Sequence, residues 1–265
     1  MKKSILFALL AVMGVSNANT LCTISNDVVT LPGNNSDCVV TPDLYQVKLY
    51  ELMLCTDAPT APTTSLVMDS SMCESVWTNT AGSLITVQNG VTSPLDGVIS
   101  RPLNNSYSYG YARLSKNFTL QSSIKFNASA NGDISGSGVY CSTKAGTGDA
   151  NDANSTTCDS SAISAGSLIS PLGDLSTDGN WSASGGDVNL TAYLVDTSQK
   201  LASDVNDVSL LIGIQRFTAP IIITDDSKEI DVSFNVSKGL SVNESGGNGT
   251  VSFNRGPFSV KISVK

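Results

Sequence analysis

Residues 45–55 read YQVKLYELMLC, a pattern typical of a β-strand in a folded core. At its start Tyr45, Val47 and Leu49 alternate with polar side chains, which is the period of a strand with one buried face. The apolar run that follows ends at Cys55, so the stretch predicts a buried strand that leads directly into a cysteine.

Similar strand patterns recur on both sides of this stretch, separated by segments rich in Gly, Asn and Asp, whereas helical periodicity is scarce. About a dozen strands are expected in total, which favours an all-β fold, an antiparallel β-sandwich or jelly-roll-like domain with disulfide-stapled loops. Besides the strand over 45–55, the patterns lie at 84–87, 98–100, 107–111, 118–120, 124–126, 139–141, 188–195, 208–214, 221–223, 229–236, 240–242, 251–253 and 258–264.

The segment 142–186 is dense in Gly, Ser, Asp, Asn and Thr, and its apolar residues occur in short islands. We interpret it as a long polar loop. Residues 19–265 then form either one β-sandwich domain that includes this loop or two sub-domains, 19–141 and 187–265, that the loop separates.

Residues 1–18 have the pattern of a secretory signal peptide. Lys2 and Lys3 are followed by an apolar run over 5–15, and the small side chains of Ser16 and Ala18 suit a signal peptidase. The run is shorter than the ~20 residues of a membrane span, so an uncleaved anchor is the less favoured alternative. We therefore expect a secreted protein, extracellular or at the cell surface rather than periplasmic, that contacts a membrane only during export. The Met-Lys-Lys start is bacterial in style.

Six cysteines follow this leader, which indicates disulfides formed in an oxidising compartment. Six cysteines allow fifteen pairings, so the count alone leaves the connectivity open. The spacing favours pairing in sequence order, since each such bridge closes a short polar loop and no CxxC motif is present. The predicted bridges are Cys22–Cys38, Cys55–Cys73 and Cys141–Cys158.

The composition excludes several classes of function. The chain has no histidine, so Ser-His-Asp and Cys-His catalysis and imidazole metal sites are unavailable. With 15 basic and 23 acidic residues, its net charge is −8, which argues against binding nucleic acid. The four glutamates do not pair with aromatic sugar platforms in the pattern of a glycosidase. We expect no enzymatic activity and no required cofactor.

Calcium is the ion that the acidic loops would suit, because Ca²⁺ prefers oxygen ligands. The alternative interpretation is a set of solvated acidic turns, since neither the EF-hand spacing nor a glycine-rich nonapeptide repeat is present. One candidate cluster is Asp149, Asn151, Asp152 and Asn154, a second is Asp225, Asp226, Glu229 and Asp231, and a thinner third is Asp204 with Asp207.

Low charge, abundant small polar residues and stapled loops are typical of extracellular structural subunits. We expect a surface, filament or appendage protein whose partners are further copies of itself or other cell-surface components. The regular strand over 258–264 could pair with a neighbouring subunit, or with a strand of its own sheet. The alternative is a monomeric adhesin or carbohydrate-binding module in which Tyr107, Tyr109 and Tyr111 stack on a glycan.

Overall fold

The computed structural model describes residues 20–33, 36–88, 91–92, 95–149, 154–173, 180–185, 188–245 and 247–265. Within these ranges the chain forms twenty β-strands and no helix, which confirms the all-β prediction. Five of these strands have only two residues, which is why the strand count exceeds the sequence prediction. The strands are β1 (Ile24–Ser25), β2 (Val28–Val29), β3 (Asp37–Val40), β4 (Leu44–Cys55), β5 (Cys73–Gln88), β6 (Val91–Thr92), β7 (Val98–Ile99), β8 (Asn105–Gln121), β9 (Ser123–Gly132), β10 (Ser137–Thr143), β11 (Gly146–Thr147), β12 (Thr156–Asp159), β13 (Leu168–Pro171), β14 (Asn180–Gly185), β15 (Val188–Val195), β16 (Leu210–Ile223), β17 (Ile230–Asn235), β18 (Leu240–Ser245), β19 (Thr250–Arg255) and β20 (Ser259–Val264).

The strands form two large sheets and one two-stranded ribbon. The ten-stranded sheet has the order β14-β15-β16-β8-β4-β5-β6, with β7 beside β5, β13 beside β8 and β11 beside β13. The eight-stranded sheet has the order β1-β2-β9-β19-β18-β3, with β10 beside β9 and β12 beside β10. The ribbon consists of β17 and β20. Most pairs are antiparallel, and β2–β9, β9–β19 and β11–β13 are parallel.

Strand β4 is central in the larger sheet, where it pairs with β5 on one side and β8 on the other. Its register shifts between Leu49 and Glu51 against both neighbours, which marks a β-bulge at Tyr50. An unbroken strand would turn Leu49 and Leu52 to opposite faces, because side chains alternate. The extra residue lets both leucines enter the same main core.

The main core contains side chains from both large sheets, including Val47 and Leu120 from one and Phe126 and Phe253 from the other. Two smaller buried clusters adjoin the larger sheet. One contains Cys55, Met68, Tyr111, Val195, Ile212 and Ile214, and the other contains Leu54, Val76, Tyr107 and Ile223.

The three disulfides join Cys22 to Cys38, Cys55 to Cys73, and Cys141 to Cys158, which is the pairing in sequence order. Two of them link residues that face each other across a strand pair, Cys55–Cys73 between β4 and β5 and Cys141–Cys158 between β10 and β12. Each closes a loop of 16 to 18 residues. Closing loops of this length stabilises the fold by about 3 kcal/mol each in the chain-entropy account.

The segment 142–186, predicted as a polar loop, instead contributes four strands, β11 to β14. Their buried side chains include Thr156 and Ser170, so hydropathy does not reveal them. Buried hydroxyls must be hydrogen-bonded, and the buried Thr143 nearby shows how this is met, since its Oγ1 donates to Gly166 O at 2.7 Å.

Strands from the two halves of the chain lie side by side in both sheets. In the larger sheet β16 pairs with β8, and in the smaller one β18 pairs with β3. Residues 19–141 and 187–265 therefore share both sheets and the main core.

The last four strands form one long hairpin that bends in the middle. The β18–β19 pair belongs to the eight-stranded sheet, and a hydrogen bond from Gly256 N to Gly239 O (2.8 Å) connects it to the β17–β20 ribbon. Both glycines are required by close contacts. A Cβ at Gly256 would lie 1.9 Å from Lys238 O, and one at Gly239 would lie 2.9 Å from the Tyr45 ring.

The Tyr45 phenol is fully buried, and its Oη finds no hydrogen-bond partner among the described residues. Burial, opposed by the charge of Arg255, raises the pKa of this phenol above its ordinary value. Because the folded-state pKa lies above the unfolded-state value of about 10, ionisation of this phenol does not affect the free energy of unfolding well below pH 10. The free energy of unfolding falls as pH rises above that value.

We expect Tyr45→Phe to raise the free energy of unfolding by about 1 kcal/mol at pH 7, because it removes an unsatisfied buried hydroxyl. The gain should increase above pH 10, since the variant has no phenol to ionise at this position. Urea unfolding at pH 7 and at pH 10.5 would measure both effects. Tyr107→Phe is the matched control, because the buried Tyr107 donates its hydroxyl to Leu103 O at 2.8 Å and should lose stability at pH 7. Equal losses in the two variants at pH 7 would contradict the assignment.

Candidate functional site

The predicted acidic cluster at 225–231 extends from the turn after β16 into β17, and its side chains have separate partners. Glu229 and Asp231 both approach the Lys265 ammonium, at 3.7 Å and 2.5 Å from Nζ. The hydrogen bond to Asp231, and then the charges of Asp231 and Glu229, raise the pKa of Lys265. Asp225 instead accepts a hydrogen bond from the Asn104 amide, and Asp226 is exposed.

These contacts give two of the four predicted ligands a cation from the protein itself. Across the described ranges, no group of three or more Asp, Glu, Cys or His side chains is arranged to hold a metal ion. Calcium binding at this cluster stays a prediction.

Half of the predicted cluster of Asp149, Asn151, Asp152 and Asn154 lies outside the described residues, which include Asp149 and Asn154. Asn154 has a φ of 60°, in the left-handed region that asparagine tolerates better than most residues. This places a turn immediately before β12.

Asp133, which the sequence analysis does not single out, organises the chain that follows this turn. Its carboxylate accepts hydrogen bonds from Ser155 Oγ (2.9 Å) and Thr156 N (2.6 Å), and Ser155 N lies 3.1–3.2 Å from its two oxygens. Ser155 Oγ in turn accepts a bond from Phe253 N at 2.9 Å. The carboxylate therefore connects the β9–β10 turn to β12, and through Ser155 to β19. A lone Asp in a polar turn has no sequence signature that would distinguish it.

Several other acidic side chains also accept hydrogen bonds from backbone N–H groups, but their donors lie only two residues further along the chain. The thinner predicted calcium cluster belongs to this class, because Asp204 accepts from Asn206 N at 2.8 Å and Asp207 N donates to Asp204 O. This is the geometry of an Asx-turn. The remaining examples are Asp69 to Ser71, Asp159 to Ser161 and Asp196 to Ser198.

The structure corrects the expectation of a stacking surface on β8. Tyr107 and Tyr111 are each buried in one of the two smaller clusters, and the half-buried Tyr109 packs against the cluster that contains Tyr111. The rings contribute apolar area to the packing of the larger sheet, so the three do not form an exposed platform.

The strand predicted over 258–264, for which a neighbouring subunit and a strand of its own sheet are the alternative partners, is β20 (Ser259–Val264) and pairs with β17 of its own chain. Its apolar side chains pack inward, with Phe258 against the main core and Ile262 and Val264 against one smaller cluster. On its other side the amide of Gln215 makes two hydrogen bonds to Val260, donating to its O (2.9 Å) and accepting from its N (3.2 Å).

Exposed apolar side chains lie on the outermost short strands of both large sheets. Ile24 on β1, at one end of the smaller sheet, is 56% exposed. Val98 and Ile99 on β7, beside β5 at one margin of the larger sheet, are 66% and 81% exposed. Monomeric proteins protect such margins with very short strands, Lys, Pro or a covering loop. β1 and β7 are short, with two residues each, but they carry exposed apolar side chains, which makes them candidate interaction sites.

Comparison with known proteins finds no matching family model, no matching curated protein and no matching solved structure. Within the described ranges, no helix has the length and hydropathy needed to cross a membrane. The three disulfides indicate an oxidising environment, extracellular or periplasmic.

Asp133→Ala should lower the free energy of unfolding by about 2–4 kcal/mol, because it leaves the Ser155 and Thr156 N–H groups without their charged acceptor. Asp133→Asn keeps one acceptor oxygen and should lose less. Chemical unfolding followed by tryptophan fluorescence would measure the difference.

Asp159→Ala is the matched control, since Asp159 also accepts a backbone N–H bond but is exposed. It should leave stability nearly unchanged. If Asp133→Ala resembles this control, the carboxylate does not organise the turn.

Proposed function

We propose that this chain is a secreted, non-catalytic structural protein, a subunit of a cell surface or extracellular appendage that assembles through the edges of its β-sheets. The proposal includes export by the leader over 1–18, its removal, and a sandwich-like arrangement of the two large sheets around the main core. Its compartment would be the extracellular space or the outer surface of a bacterial cell.

The observation that carries the proposal is the exposure of Ile24, Val98 and Ile99 on margin strands. Transferring such side chains out of water contributes about 25 cal/mol per Å² of apolar area. At a sheet margin this gain adds to hydrogen bonds between edge backbones. A surface that combines both features favours strand-to-strand contact between molecules.

Two further observations support a structural role. The disulfides and the buried hydroxyl networks restrain the polar strands, which suits a protein exposed to proteases and to changes in its surroundings. The acidic side chains at 69, 133, 159, 196 and 204 hold turns, so they stabilise local structure.

We expect Ile99→Lys to weaken assembly, because it places a charge on the most exposed apolar position of a margin strand. The protein would be exported with its own leader, purified with its disulfides intact, and examined by negative-stain electron microscopy with and without millimolar Ca²⁺. The wild type should form regular polymers, and the variant should form fewer or none at the same concentration.

Leu66→Lys is the matched control. Leu66 is likewise a well-exposed apolar residue, at 66% against 81% for Ile99. It lies in the loop between β4 and β5 and not on a margin strand, so assembly should be unchanged. Dispersed wild-type particles under both conditions would overturn the proposal. Retention of those particles on a glycan array would then favour the carbohydrate-binding alternative.

A further inference from the structure

The outer edge of β17 has a regular set of backbone groups that pair with no strand in the described part of the chain. At one end of the ribbon, Glu229 and Lys265 exchange both of their backbone hydrogen bonds, at 3.2 Å and 3.0 Å. In an antiparallel pair such residues alternate with residues whose N–H and C=O point away from the partner strand. In β17 the outward residues are therefore Ile230, Val232 and Phe234, each opposite an outward residue of β20.

The two sides of the ribbon differ. On the β20 side, Gln215 of β16 occupies the outward N–H and C=O of Val260, as a neighbouring strand would. On the β17 side, no strand within the described ranges pairs with the outward groups. The neighbouring position is occupied further along the hairpin by β3, which pairs with β18 and ends at Val40 opposite Leu240. The chain then leaves for β4, so among the described residues no strand lies beside β17 on the side away from β20.

The edge of β17 also lacks several of the features by which monomeric proteins prevent strand pairing, although it carries one charged residue, Asp231. Its sequence, IDVSFN, has no Lys, Pro or Gly, and its register with β20 is free of bulges. Its six residues are long enough for several backbone hydrogen bonds. This edge is independent of the exposed side chains on β1 and β7.

The edge is complementary to itself. If two copies of β17 run antiparallel with Val232 opposite Val232, the outward Ile230 of each lies opposite the outward Phe234 of the other. These three pairs would exchange about six backbone hydrogen bonds. The same register sets Asp231 opposite Ser233, so the acidic side chains do not face each other.

The charge around the ribbon also permits contact between copies. The whole chain is acidic, with a net charge of −8, and this opposes self-association. The ribbon and the residues at its open end are balanced in charge, since Lys261 and Lys265 match Glu229 and Asp231 in number and the Lys265 ammonium pairs with both carboxylates. Two ribbons can therefore approach without the repulsion that the rest of the surface imposes.

We propose that β17 pairs with β17 of a second copy of this chain, as a two-fold symmetric antiparallel contact that joins the two ribbons into one four-stranded sheet. The inference rests on the proposed assembly through sheet edges, and it identifies one edge, its partner and its register.

The first test is Val232→Pro in the exported, disulfide-intact protein. Proline removes an outward N–H that has no bond to β20, so the ribbon should remain folded while the edge loses a donor. We expect the dissociation constant between copies, measured by light scattering over a concentration series, to rise at least about tenfold. Val232→Thr is the matched control, since it has the same shape and keeps the N–H, and it should associate as the wild type does.

The second test reports the register and does not depend on the proline variant. Directly opposite residues of this kind have Cα atoms about 4.5 Å apart, within the range that a disulfide spans. Asp231→Cys mixed with Ser233→Cys should therefore form a cross-linked pair under mild oxidation. Ser263→Cys on β20 mixed with Ser233→Cys should not, because one strand would separate the two thiols.

The outcomes distinguish this inference from the proposed function. Association that Val232→Pro leaves unchanged, or that it abolishes without any 231–233 cross-link, would overturn the β17 pairing and leave assembly through other edges standing. Wild-type protein that is monomeric in light scattering and dispersed in micrographs would overturn both. Loss of association in the proline variant together with the specific cross-link is the expected result.

Discussion

The packing of Tyr45 between two other rings determines where the C-terminal hairpin lies. Its ring centroid is 5.8 Å from that of Phe118 in the neighbouring strand and 6.0 Å from that of Phe258, which leads into β20. Gly239 permits this contact because a side chain there would collide with the Tyr45 ring. The aromatic cluster thus attaches the hairpin to the larger sheet at the point where it bends.

The bend has a consequence for the surface of the molecule. One half of the hairpin, β18–β19, continues the smaller sheet and is flanked by other strands. The other half, β17–β20, packs its apolar side chains against the main core and one smaller cluster, but no described strand extends it on the β17 side. The ribbon therefore packs its apolar side chains against the core clusters, while the backbone of β17 pairs on one side with β20 and with no described strand on the other. A protein that assembles through its edges would use such a difference.

Much of the fold follows from patterns along the chain, and the failures have identifiable causes. The alternation over 45–49 and over 230–236 marks β4 and β17 correctly, because β4 has a buried face and β17 packs a half-buried apolar face against the core clusters. The patterns at 107–111 and 118–120 belong to the single strand β8, whose register shifts against β4 conceal its continuity. The strands β12 and β13 escape detection because the buried hydroxyls of Thr156 and Ser170 alternate with few apolar side chains, so hydropathy does not mark a buried face. The acidic clusters can be found in the sequence as local runs of Asp, Asn and Glu. Asp133 and Gln215 cannot be found in this way, because their hydrogen-bond partners lie far away in sequence.

The sequence by itself determined the all-β class, the abundance of cysteine pairs suited to an oxidising compartment, and the absence of histidine chemistry, since these depend on local periodicity and composition. Only the tertiary structure decided that Tyr107 and Tyr111 are core residues, that Lys265 lies between Glu229 and Asp231, and that β20 is the one described strand that pairs with β17. Each of those outcomes depends on which distant segments become neighbours. Local patterns specify the face that a strand buries, but long-range packing selects the partner that covers it.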